Sequence, residues 1–132
     1  GYGPYESYCD KHQADYIGKF TAKISDMHED YIRPQENGSH FGCEYMTVTD
    51  GIVSVKFTAP NRLSFNASEY TEEELAAKRH NFELEKCGSS VICADSMMAG
   101  VGSNACGPAL ADEYRLPLPA FSAQMHMEVS LL

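Results

Sequence analysis

Phe121-Ser122-Ala123-Gln124-Met125-His126-Met127-Glu128-Val129-Ser130-Leu131 changes between apolar and polar at every step. Side chains on an extended chain point alternately to opposite faces, so this period of two predicts a long strand with one apolar and one polar face. The same alternation recurs upstream, where Val53, Val55 and Phe57 alternate with Ser54 and Lys56. Phe41 to Val48 has strand character as well, and Asp50-Gly51 between the two runs carries the residues of a tight turn, so a hairpin is expected. Pro60 lacks a backbone donor and, with Asn61, is expected to end that strand, after which Leu63, Phe65 and Ala67 begin a short new one. Tyr16 to Ile24 alternates loosely and predicts a further strand, and Val91-Ile92-Cys93-Ala94, leading into Met97 and Met98, predicts a buried one.

One helix is signalled. Thr71 is a suitable N-cap, and Glu74 three positions later is placed to complete a capping box. Glu72 and Glu73 favour the positive end of the helix dipole, Ala76 and Ala77 are strong helix formers, and Glu74 with Lys78 forms an i, i+4 pair. Its end is expected near Arg79 to Asn81. Many strands, turn residues between them and one short helix predict a mostly β chain, an antiparallel β-sandwich.

A chain of 132 residues is long enough for one domain with a core of its own. Ten basic residues against nineteen acidic ones leave a formal charge of −9, which repels both the phosphate backbone of nucleic acids and anionic membrane surfaces. Neither nucleic acid nor membrane is therefore expected as a partner, and no apolar run is long enough for a membrane-spanning helix. The five cysteines form neither a disulfide framework nor a C-x-x-C pair. Free thiols in a reducing compartment follow, and no secretory leader pattern opens the sequence, so a cytoplasmic location is expected. The histidines show no spacing that would set two metal ligands on one helix face.

Two loops concentrate polar chemistry. Arg33-Pro34-Gln35-Glu36-Asn37-Gly38-Ser39-His40 gathers a guanidinium, two amides, a carboxylate and an imidazole, the mixed donors and acceptors that sugar hydroxyls need. A capped surface turn explains the same residues. Gly100-Val101-Gly102-Ser103-Asn104-Ala105-Cys106-Gly107-Pro108 matches a dinucleotide fingerprint only formally, because Gly107-Pro108 would stop the helix that such a motif must open. A substrate-facing loop and a tight structural turn remain open for it.

Five segments in order resemble the end of bacterial β-galactosidases of glycoside hydrolase family 2. They are Gly1-Tyr2-Gly3-Pro4-Tyr5-Glu6-Ser7-Tyr8 with Asp10, Ser25-Asp26-Met27, Tyr31 to Gly38, Leu63 to Thr71, and Gly100 to Pro108. The resemblance implies that residues 1–132 are the latter part of that family's last domain, a large antiparallel sandwich similar to galactose mutarotase. It implies as partners the remainder of the β-galactosidase chain or a large catalytic subunit, and a terminal β-D-galactoside such as lactose as substrate. The family's two catalytic glutamates lie in an upstream barrel, so no catalytic residue is expected here, and the isolated chain is expected to be inactive. Magnesium and sodium are implied for the full enzyme, held upstream, with no cofactor or metal ligand in this chain.

In the family the glycine loop reaches the mouth of the active site and presents a Trp to the leaving-group sugar. The matching position here is Cys106, and the chain has no Trp. The resemblance therefore makes Ser103, Asn104 and Cys106, with Arg33, Glu36 and Asn37 from the first loop, the candidate substrate-contacting residues. A free-standing galactose-binding or mutarotase-like module is the alternative, and a purely structural assembly piece is a third reading. Half a sandwich should expose edges or apolar surface, so a homodimer of the fragment is also entertained.

Overall fold

The computed structural model describes residues 1–102, 108–116 and 119–132. A four-stranded antiparallel sheet dominates it, made of β3 (His40–Thr49), β4 (Val53–Ser68), β5 (Val91–Asp95) and β6 (His126–Leu131). A two-stranded ribbon, β1 (Tyr2–Gly3) with β2 (Tyr16–Ile17), precedes it. α1 (Glu72–Ala77) is the one α-helix among the described residues. The chain is thus mostly β and antiparallel, with one short helix.

β4 is the spine. β3 lies along one edge, while β6 pairs with Val53 to Thr58 and β5 with Ser64 to Ser68 on the other. The Asp50-Gly51 hairpin forms as expected. Gly51 takes φ +91°, and the Asp50 carboxylate accepts from the N–H groups of Ile52 and Val53 at 2.9 and 2.8 Å.

Pro60 does not end the strand. β4 runs through it as an irregular bulge: it advances from Thr58 to Leu63 while β3 moves only from Tyr45 to Cys43, and Arg62 adopts φ +66°. A bulge tolerates the missing proline donor, because a bulged residue has no ladder bond to lose. The same irregularity explains why the last strand starts at His126 and not at Phe121. His126 pairs with Thr58, the last regular residue of β4 before the bulge, so the alternation upstream finds no partner among the described residues. Tyr16 to Ile24 is corrected in the same way. Tyr16–Ile17 pairs with the first strand, Gly18 exchanges backbone bonds with Gly1, and Ile24–Asp26 forms a 3-10 turn. β5 likewise ends at Asp95, short of Met97 and Met98.

The helix is capped by Thr71, whose hydroxyl accepts from the Glu74 N–H at 3.2 Å. The Glu74 carboxylate pairs with Lys78 at 3.4 Å and accepts from the Glu85 N–H at 2.8 Å, so its reach is forward and not back to the cap. α1 stops at Ala77, a little earlier than expected, because Lys78 is already extended.

Cys43, Met46 and Leu63 form the core, with Val48, Phe57, Ala59, Phe65, Ile92 and Ala94 packed against them. The register lines up Met46, Phe57 and Met127, then Val48, Val55 and Val129, then Val53 and Leu131, in successive rows on one face. The opposite face carries Thr58 with His126, Lys56 with Glu128 and Ser54 with Ser130. On β6 the apolar face is bare: Met127, Val129 and Leu131 are 59%, 61% and 82% exposed. Among the described residues no second layer covers it.

Candidate functional site

The Arg33 to His40 loop is held in place by the N-terminal segment. Glu6, only 8% exposed, accepts from the Gly38 N–H at 2.9 Å, from the Tyr31 and Tyr8 hydroxyls and from the Lys11 ammonium. Burial opposes its charge, but the hydrogen bonds from Lys11, Tyr31 and the Gly38 amide outweigh it and hold the carboxyl below its ordinary range. Burial and the neighbouring Glu6 charge push the Tyr8 phenol well above its own. Ser7, fully buried, donates its N–H to Ser39 O at 2.6 Å and accepts from the Phe41 N–H at 2.9 Å. Gly38 sits at φ +68°, where an added Cβ would lie 2.4 Å from Met27 O, so the close approach of the two segments requires glycine.

Within this loop the candidates separate. The Asn37 side chain is turned inward: its Oδ1 accepts from the Glu29 N–H at 2.9 Å, and its Nδ2 donates to Gln35 O at 2.9 Å and faces His28 Nδ1 at 3.3 Å. Its amide ties the loop to the segment before it through Glu29 and His28 as well as to Gln35. Arg33 and Glu36 are exposed and line an open recess of about 450 Å³ with Pro34, Gln35, Glu72 and Leu75. Asn66, from β4, donates to Glu36 Oε1 at 2.7 Å and fixes that carboxylate at the rim.

Glu36, Glu72 and Asp95 share this corner. Burial, then repulsion from Glu36, Glu73 and Asp95, raises the Glu72 carboxyl, and burial with Glu36 raises Asp95. Burial and the same acids push the Cys93 thiol up, which makes it a poor nucleophile. The corner offers acceptor oxygens beside the Arg33 donor fork, a set that suits neutral hydroxyl-bearing ligands. No group of three or more His, Cys, Asp or Glu among the described residues is arranged to hold a metal ion.

Ser103, Asn104 and Cys106 lie outside the described residues. The root of their loop is described. Asp10 reaches it from the N-terminal segment, its Oδ1 accepting from the Val101 N–H at 3.0 Å and its Oδ2 from the Gly102 N–H at 2.8 Å. The sequence names Glu6 and Asp10 only within a resembling segment and Glu72 only at the helix start, and it marks none of these, nor Asp95, as a site residue. Each acts through residues distant along the chain, and no spacing rule reports such a pairing.

An antiparallel β sheet with an exposed apolar strand face and a carboxylate-lined recess defines the class, a β-rich protein with one short helix among the described residues. Sequence comparison gives the family. The family described as "Beta galactosidase small chain" matches residues 1–131, and the chain belongs to it. It is similar to proteins named beta-galactosidase from Actinobacillus pleuropneumoniae (49% identical over 116 residues), Staphylococcus xylosus (39% over 116) and Kluyveromyces lactis (33% over 138). These alignments cover 88%, 88% and 96% of this chain but only 11%, 12% and 12% of the relatives. The chain thus spans about a ninth of the length of the relatives it matches.

Proposed function

We propose that this chain is the C-terminal part of the last domain of a retaining glycoside hydrolase family 2 β-galactosidase, the latter half of a mutarotase-like sandwich. The whole enzyme hydrolyses terminal β-D-galactosides such as lactose, with the reacting glutamates and the metal ions on other parts of the protein. This part supports assembly and shapes the acceptor-sugar side of the active site through the loop that begins at Gly100, with Arg33 and Glu36 as further site-lining residues. The observation that carries the reading is the bare apolar face of β6, in a chain that spans 11–12% of relatives named beta-galactosidase. An apolar sheet face of this kind is stable in water only when another layer covers it.

The test is reconstitution. The isolated chain, the remainder of the polypeptide and their mixture are assayed with a chromogenic β-galactoside. Turnover in the mixture and none in the isolated chain is the expected result. Turnover by the isolated chain, or full activity of the remainder alone, would overturn the proposal.

A further inference from the structure

The descent into the glycine loop and the return from it meet at a neck. On the way in, Cys9 Sγ lies 3.8 Å from Met98 O, and Asp10 takes the Val101 and Gly102 amides, one on each carboxylate oxygen. On the way out, Tyr114 O accepts from the Gly100 N–H at 2.8 Å, which ties the two sides together. The packing leaves no slack. A Cβ on Gly100 would stand 2.6 Å from Asp10 Oδ2 and 2.9 Å from Leu110 Cδ1, and Gly102 sits at φ +57° with Leu110 Cδ1 3.1 Å from the place of its Cβ. Two successive N–H groups pointing at one carboxylate form a small anion-binding concavity, here filled by a side chain from some ninety residues earlier in the chain. Charge-assisted bonds of this kind are roughly twice as strong as neutral ones, so the clamp fixes the direction in which the loop leaves the sheet.

From this geometry we infer that Asp10 is a positioning residue for the acceptor-sugar side of the active site, acting through the Gly100–Gly102 root and not by touching the substrate. The inference rests on the proposed role of the loop. Asp10 itself performs no chemistry. It holds the Val101 and Gly102 amides at the root from which the loop continues, and loss of a sugar contact made equally in ground and transition states appears in KM more than in kcat.

The experiment uses the full enzyme that carries this segment, wild type and with Asp10→Ala or Asp10→Asn. Hydrogen exchange of the segment that includes Val101 and Gly102 is read together with lactose kinetics and with the partition of the galactosyl group between water and an added acceptor sugar. Asp10→Ala is expected to speed exchange at the root, to raise KM for lactose about tenfold and to lower transfer to the acceptor, with kcat much less affected. Asp10→Asn keeps one acceptor oxygen and is expected to recover part of the loss. Faster exchange with unchanged lactose KM and unchanged partition would overturn the inference and leave the functional proposal standing. So would a uniform loss of kcat with a fallen melting temperature and no recovery in Asp10→Asn, the signature of a merely structural role. A wild-type enzyme inactive on every β-galactoside would overturn the functional proposal, and the inference with it.

Discussion

Glu6 shows how one residue ties distant parts of the chain together. Its carboxylate carries four donors, one of them the buried Gly38 amide, and a hydrogen bond to a charged group contributes about 1.5–3 kcal/mol. Lys11 is half exposed, so its ion pair contributes less than the geometry implies. Glu6→Gln should cost about 2 kcal/mol, read as a lower midpoint in denaturant unfolding. Because the folded carboxyl lies below its unfolded value, the contribution is complete above the unfolded carboxylate range, at about pH 4, and is lost as pH falls through the lower folded value. Asp95 behaves oppositely. Its raised carboxyl means that the neutral form suits the fold, so the benefit is present below the unfolded value and is lost as pH rises through the folded one. Asp95→Asn should therefore stabilise the protein at neutral pH and lose that advantage on acidification, which unfolding midpoints at pH 7 and about pH 4 compare directly.

At the scale of elements, α1 depends on its cap. A helix of six residues is too short to form by propensity alone, and only Leu75 of its residues is buried. The Thr71 hydroxyl bond to Glu74 and the acidic first turn therefore carry much of its stability. Thr71→Ala should cost about 1 kcal/mol and loosen the wall of the recess beside Glu36, with Thr71→Ser near wild type, as urea unfolding would report. The bulge in β4 is the second decisive element. It lets one strand pair with β6 over its first half and with β5 over its second, and it sets where β6 can begin.

For the whole molecule, the bare face of β6 decides how the chain behaves. Met127, Val129 and Leu131 continue the core rows of β3 and β4 but are mostly in water. Fully burying a side chain of this size contributes about 1.5–3 kcal/mol, so a covering layer would gain appreciably from them together. Val129→Lys should leave the β-rich circular dichroism of the segment nearly unchanged, since the side chain is already exposed, while weakening assembly with the remaining polypeptide in a reconstitution titration. No described helix is long and apolar enough to cross a membrane.

Local periods settled a good part of this protein. Strand character from Phe41 to Val48 and alternation from Val53 to Phe57 fall within the observed β3 and the first half of β4, the apolar run at Val91 marked the start of β5 but not its end, Asp50-Gly51 marked the hairpin, and Thr71 marked the helix start, because each rests on neighbours within a few residues. Of the candidate substrate-contacting residues, the structure places Arg33 and Glu36 at a recess and turns Asn37 inward onto Glu29 and Gln35, a difference that no local pattern reports. Tertiary structure alone decided that β4 passes through Pro60, that alternation from Phe121 to Met125 finds no partner among the described residues, and that Glu6 holds the first polar loop and Asp10 the root of the second. The reason is physical. A period reports what one segment prefers, whereas a partner thirty or ninety residues away is chosen by which faces and donors remain free once the sheet has formed.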